Sequence, residues 1–179
     1  MFSQHEIDFD IPLSLDLNNL PNSLSYNNQL MTLEDDQFKV AKSIIAWLHQ
    51  NPTTRPPFQR VAGFAGTGKT VIISYLLNNY EEVFPSEMKT RKIAVCTFTW
   101  KAALVLKSRN VDAQSIHSIF YKVNVATDGT ISFERRSHYE IRCEYSMIIV
   151  DEASMVSEAI RSDIEAVGLP VLYVGDPGQ

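Results

Sequence analysis

The chain has 179 residues, 45% apolar and 21% charged, enough for one domain with a real core and unlike a disordered or fibrous composition. Its formal charge of −5 excludes a uniformly basic protein, yet residues 1–37 hold seven acids and no Lys or Arg, so the remaining 142 residues carry a net +2. No apolar run approaches the ~18 residues of a membrane span, and the start MFSQHEIDFD lacks the basic residues of a secretory signal.

Residues 1–30 are rich in Asn, Ser and Asp, with Pro12, Pro21 and scattered apolar positions. A flexible or loosely draped acidic extension is expected there, with a partner-binding tail as the alternative, ahead of one domain over 31–179. Thr32-Leu33-Glu34-Asp35 fits a capping-box variant, and Phe38, Ala41, Ile44, Ile45 and Leu48 follow at helical spacing. Prolines 52, 56 and 57 end that helix. A short strand is expected at 58–62, a helix at 69–79, a buried strand at 92–99, a helix at 100–107 and a short helix at 115–121. Two short alternating runs flank Asp128-Gly129 within 121–136, a hairpin signal. SMIIV (146–150) reads as a second buried strand, 157–167 as a helix and PVLYV (170–174) as a third strand. Strands apolar throughout and separated by helices imply an α/β fold with a parallel sheet covered on both faces. Cys96 and Cys143 lack metal-like spacing; buried thiols in a reducing cytoplasm are expected.

GFAGTGKT (63–70) matches G-x-x-x-x-G-K-[ST] without a mismatch. Gly63, Gly66 and Gly68 permit a tight turn whose N–H groups, with those of Ala65 and Thr67, converge on one concavity. The following helix adds the positive end of its dipole. The loop therefore reads as a seat for the phosphates of ATP, with Lys69 as a charge there and the Thr70 hydroxyl as a ligand for Mg2+. Asp151 closes the strand MIIV and is expected to hold the same Mg2+ through water, with Glu152 beside it to polarise an attacking water. The chemistry implied is hydrolysis of a nucleoside triphosphate. A kinase or GTPase remains an alternative, although no N-K-x-D base reader is present. A non-enzymatic remnant that uses this fold for docking is another.

Four blocks, GFAGTGKT, TFTWKAA (97–103), IIVDEAS (148–154) and VGDPGQ (174–179), resemble in order motifs I, Ia, II and III of superfamily 1 helicases. The DEAS form and SIHSIF (115–120) are most similar to the 5′-to-3′ branch that includes RecD and Dda. The resemblance covers about residues 32–179. It implies a RecA-like P-loop NTPase domain with a small inserted β-hairpin, ATP and Mg2+ as cofactors, and single-stranded DNA as partner. A role in DNA replication, recombination or repair is implied with it, in a bacterial or phage-infected cell. Gln37 stands where the family reads adenine; an ordinary surface residue is the alternative. Gln179 matches the γ-phosphate glutamine, with Asp176 in the same block. Thr99, Trp100 and Lys101 align with a motif that touches single-stranded DNA, the first and last at phosphate and Trp100 against a base. His117 falls at a DNA-side histidine, or is a buried hydrogen-bonded one. The 121–136 hairpin corresponds to a wedge at the duplex fork, with Tyr121, Val123, Ile131 and Phe133 apolar and Arg135 and Arg136 as a basic flank, or is decorative. Motif Ia departs from the family: Phe98 and Trp100 replace a proline and a glycine. The chain also stops inside motif III. The resemblance thus implies a second RecA-like domain, in a longer parent chain or a separate polypeptide, without which unwinding is not expected.

Overall fold

The computed structural model describes residues 16–26, 29–64 and 66–176. At the front, β1 (Ser23–Tyr26) and β2 (Gln29–Thr32) pair antiparallel. Leu24 and Leu33 are buried in the core, and Leu17, Leu20 and Met31 pack against it. The described part of the segment expected to be flexible or loosely draped packs on the body through Leu17, Leu20 and Leu24. Strands of four residues are too short to show a period, which is why their apolar positions look scattered in sequence.

Helix α1 (Asp35–Leu48) follows. Its cap is Glu34, two residues later than the sequence suggests, because the Gln37 side-chain Oε1 accepts from the Glu34 N–H at 3.1 Å. Ala41, Ile44, Ile45 and Leu48 are fully buried as the periodicity implies. Trp47 is buried as well; its indole N–H donates to the Pro56 carbonyl at 2.9 Å, which removes the cost of burying that donor.

The remaining elements alternate. They are β3 (Phe58–Ala62), α2 (Lys69–Asn78), α3 (Tyr80–Val83), β4 (Lys92–Thr97), α4 (Trp100–Lys107), β5 (Ala113–Ser115) and α5 (Ile116–Phe120). Then come β6 (Tyr121–Val125), β7 (Ile131–Arg135), α6 (His138–Glu144), β8 (Tyr145–Asp151), α7 (Glu158–Glu165) and β9 (Val171–Gly175). The central sheet has the order β3-β9-β8-β4-β5, and every neighbouring pair is parallel.

Successive strand residues point to opposite faces, and the two cores show it. Val61, Val95, Met147, Ile149, Leu172 and Val174 face a core shared with α1, α2 and α4. Their neighbours Ala94, Cys96, Ile148, Val150, Val171 and Tyr173 face the other core, shared with α5, α6 and α7. Each strand is thus apolar on both sides, which explains the unbroken runs. Cys96 is buried, as expected, whereas Cys143 is exposed; the sequence expectation for it is corrected, since it lies at the solvent side of the short α6.

The hairpin β6–β7 pairs antiparallel, Val123 with Phe133 and Val125 with Ile131. Gly129 sits at φ +82°, and the Ala126–Thr130 turn is closed by Gly129 N–H to Ala126 O at 3.0 Å and Thr130 N–H to Asp128 Oδ1 at 2.9 Å.

Candidate nucleotide and nucleic-acid site

In a parallel sheet every strand ends on the same side, and ligands gather there. Read along the C-terminal edge, the strand order places the glycine loop after β3, Gly175 and Asp176 after β9, Asp151 at the end of β8, Thr97–Lys101 after β4 and His117 after β5. Gly175 apart, these are residues that the sequence singles out, and those of them that are described lie on one edge. Ala65 and Gln179 lie outside the described residues.

The loop is held by its own backbone and by three side chains, those of Thr67, Gln37 and Lys69. Gly63 N–H donates to the Gly175 carbonyl at 3.1 Å, which ties the loop to β9. Thr67 Oγ1 donates to Phe64 O at 2.9 Å. Gly66 and Gly68 lie at φ +83° and +82°, a region that L side chains enter at a cost. Gly68 has a second constraint: a Cβ there would sit 2.3 Å from Gln37 Nε2. Gln37 therefore lies directly over the loop, and Nε2 donates to the Thr67 carbonyl at 3.3 Å. One amide thus joins the cap of α1 to the phosphate loop. Lys69 Nζ is folded back, donating to Gly63 O at 2.5 Å and Phe64 O at 3.0 Å. Thr70 occupies the first turn of α2.

Asp151 is 7% exposed. Burial raises its carboxyl above the usual range; the Glu152 N–H and the charges of Lys69 and Arg109 pull the other way, while Glu152's own charge adds to the rise. Loop and carboxylate both stand at the C-terminal edge of the sheet. Only β9 separates β3 from β8, so the two strands are about 10 Å apart at ~4.8 Å per strand, a span that a metal-bound triphosphate fits. Among the described residues no three His, Cys, Asp or Glu side chains cluster as a cage. One buried carboxylate and one hydroxyl suit Mg2+, which keeps waters and takes phosphate oxygens for the rest. The donor set therefore fits Mg2+ bound together with phosphate oxygens.

Glu152 is exposed and lies at φ +55°, costly for a residue with a Cβ. Its N–H donates to Asp151 Oδ1 at 3.0 Å. The tight turn after it approaches β9 closely: a Cβ on Gly175 would meet Ser154 N at 3.2 Å and Ala153 N at 3.3 Å. Gly175 is a site residue that sequence reading did not single out, although it stands in the quoted VGDPGQ block. The Ser154 hydroxyl is buried and has no hydrogen-bond partner among the described residues.

On the other half of the edge, Thr97 pairs with Asp151 in register and donates through Oγ1 to the Thr99 carbonyl at 2.6 Å. Thr99 is the N-cap of α4, its hydroxyl accepting from Ala102 N–H at 3.2 Å. Trp100 is 67% exposed, and Lys101 is exposed. His117 is exposed, so the buried alternative does not hold, and it stacks on Tyr121 with ring centroids 6.1 Å apart.

The hairpin presents Val123, Val125, Ile131 and Phe133 outward, each at least 59% exposed. Its expected basic flank is engaged within the protein. Arg135 pairs with Asp163 of α7 at 2.7 Å and Arg136 with Glu144 of α6 at 2.7 Å, and Lys122 pairs with Glu140. These ion pairs hold the hairpin to the body.

The family model for an AAA domain matches residues 49–179. No curated protein matches the chain. Among solved structures, a double mutant of the Bacteroides Pif1 helicase is similar at 21% identity and a TM-score of 0.52, over 83% of this chain and 33% of that one. Bacteroides Pif1 bound to single-stranded DNA is similar at 23% identity and a TM-score of 0.50, over 82% of this chain and 32% of that one. The chain spans about one third of the length of those helicases. With three quarters of its length matched, and with the loop, the strand-end aspartate and the parallel sheet in place, the chain belongs to the AAA-domain family and shares its α/β fold with the matched Pif1 structures.

Proposed function

We propose that the chain is the ATP-binding motor domain of an ATP-dependent DNA helicase that moves on single-stranded DNA in the 5′-to-3′ direction. The observation that carries the reading is that the glycine loop and Asp151 stand at the C-terminal ends of β3 and β8, one strand apart in a single parallel sheet. In this reading the loop N–H groups and the start of α2 bind the phosphates of ATP. Lys69 exchanges the Gly63 and Phe64 carbonyls for phosphate oxygen. Thr70 and Asp151 hold Mg2+, which when bound offsets the charge that develops on the transferring phosphoryl group. Glu152 accepts the proton of the attacking water, and its left-handed backbone sets the direction of its carboxylate. Gln37 orders the loop and reads the adenine, and Gln179 senses the γ-phosphate.

Thr99, Trp100, Lys101 and His117 form the single-strand side of the same edge, and the apolar hairpin face acts as a wedge at a duplex fork. The matched Pif1 structure with single-stranded DNA supports that side of the reading. A second RecA-like domain, in a longer chain or a separate polypeptide, supplies the arginine that accelerates hydrolysis by ~10³ to 10⁵ in related NTPases. The setting proposed is DNA replication, recombination or repair in the cytoplasm of a bacterial or phage-infected cell.

The test is nucleotide binding to the purified chain against Lys69→Ala, followed by thermal melting with and without Mg2+-ATP. ATP is expected to stabilise the parent and not the variant. Equal stabilisation of both would refute the site.

A further inference from the structure

We infer that the acidic segment ahead of Asp16 docks as a strap on the outward face of α4 in the same chain. The docking does not depend on what the protein binds; only its consequence for single strands rests on the reading above.

Helix α4 packs Ala103 and Leu106 into the core. Its opposite face turns Lys101, Leu104 and Val105 to solvent, the last two 42% and 48% exposed, with the exposed Trp100 at one flank. Apolar side chains that adjoin on one helix face form a patch, unlike surface apolar residues scattered singly. The patch is also basic. From Trp100 to Ser115 the chain carries Lys101, Lys107 and Arg109 against one acid, Asp112. Asp112 opposes an acidic partner, but it is paired with Lys107 at 3.9 Å, and Lys101 and Arg109 are exposed.

Residues 1–15 lie outside the described residues, and their sequence supplies the counterpart. Ile7, Phe9, Ile11, Leu13 and Leu15 alternate with Asp8, Asp10, Pro12 and Ser14. Laid out extended, such a stretch has one apolar side and one acidic side. The apolar side suits Leu104, Val105 and the indole, and Asp8 and Asp10 suit Lys101 and Arg109.

Position and reach agree with this occupant. Leu17, Leu20 and Leu24 pack on the same core as Ala103 and Leu106, so the described chain begins on the side of the sheet that α4 covers. Residues 7–15 extended span about 30 Å at ~3.3 Å per residue, against about 12 Å for an eight-residue helix. The apolar face of the β6–β7 hairpin fits the strap less well. Its bases Lys122, Arg135 and Arg136 are already paired, and Tyr121 at its root packs on the opposite core.

Paramagnetic relaxation in the full-length chain tests the strap without assuming its register. A nitroxide is placed at Ser3→Cys in a Cys143→Ser background; Cys143 is the exposed thiol and Cys96 is buried. Amide signals of Trp100–Lys107 are expected to be attenuated at low salt, and those of Glu158–Glu165 in α7, on the opposite face, are not. Asp8→Asn/Asp10→Asn is expected to weaken docking roughly two- to thirtyfold, the range for two exposed ion pairs, and to restore the α4 signals, as high salt does. Attenuation of α4 no greater than that of α7, or attenuation that survives these substitutions, overturns the strap. So does attenuation of α4 when isotope-enriched chain without nitroxide is mixed with unenriched chain that carries it, because the occupant is then a second copy. A short single-stranded oligodeoxynucleotide is expected to displace the strap and return the α4 signals. A strand that binds and leaves the attenuation in place overturns that competition, while a strand that does not bind overturns the single-strand reading and leaves the strap standing.

Discussion

Gly68→Ala separates two costs that meet at one atom. The backbone there is at φ +82°, and forcing a Cβ into the left-handed region costs ~1–2 kcal/mol. Gly66 has nearly the same angle, φ +83°, with nothing within 4 Å of its would-be Cβ, so Gly66→Ala carries the backbone cost alone. At Gly68 the added methyl falls 2.3 Å from Gln37 Nε2. Gln37 is flexible and moves away, but it then loses the bond to Thr67 O and the cap on Glu34 N–H, each worth about 0.5–1.5 kcal/mol. The expected total is ~2–5 kcal/mol for Gly68→Ala against ~1–2 kcal/mol for Gly66→Ala. Urea unfolding at constant m measures both. The difference is expected to vanish in a Gln37→Ala background, where no side chain remains to be displaced. Equal costs in the parent background, or a difference that survives removal of Gln37, would refute the clamp between α1 and the phosphate loop.

Asp151→Asn is expected to abolish Mg2+-dependent ATP binding while raising stability at neutral pH, seen as a higher midpoint in urea. The sign follows from burial: the folded pKa lies above the unfolded one, so the charged form costs folding free energy, and that cost grows as pH rises through the folded value. Tyr75→Phe is expected to cost about 1–3 kcal/mol, because the Pro21 carbonyl, now 2.6 Å from the hydroxyl, loses its donor; faster hydrogen exchange confined to β1–β2 checks it. The tie from β6 to α6 is expected to loosen in acid. Lys122 chiefly, with Ser137, draws the Glu140 carboxyl down to about 2, so this contribution is present above the ordinary value of 4.5 and lost as pH falls through about 2. Unchanged hairpin resonances down to that pH in an NMR titration would count against the ion pair.

Sequence legibility followed element length and chemistry. β3, α2, α4 and the β6–β7 hairpin lie within a residue or so of their expected positions, because a glycine loop, an N-cap threonine and an Asp-Gly turn each mark a boundary by local chemistry. β5 (three residues), α3 (four) and α6 (seven) span too little chain to show either period, although the Ser137–Glu140 capping box that opens α6 is a local signal the sequence reading passed over. The loop residues were legible because phosphate binding constrains residue types at fixed spacing. Gly175 was not, because its reason is tertiary: the 153–154 turn approaches it from another strand. Arg135 and Arg136 misled for the opposite cause. A basic pair in sequence looks available for phosphate, and nothing local reveals that Asp163 and Glu144 already neutralise it.

The sheet order gives the edge a division of labour that no single motif carries. Strands β3, β9 and β8 bring the nucleotide residues together, and β4 and β5 bring the single-strand candidates. The two groups meet where β8 pairs with β4, at Asp151 beside Thr97. Thr97 is fully buried, and its hydroxyl holds the Thr99 carbonyl at 2.6 Å, so the residue next to the carboxylate proposed to hold Mg2+ also fixes the entry to α4. The strand pair and that one hydrogen bond are the shortest connection between Asp151 and the start of α4 that these contacts offer. Replacing the Thr97 hydroxyl by a methyl of the same shape, Thr97→Val, removes that bond while keeping the strand. If the nucleotide and single-strand halves communicate by this route, the variant retains both ligands and loses the dependence of one affinity on the other.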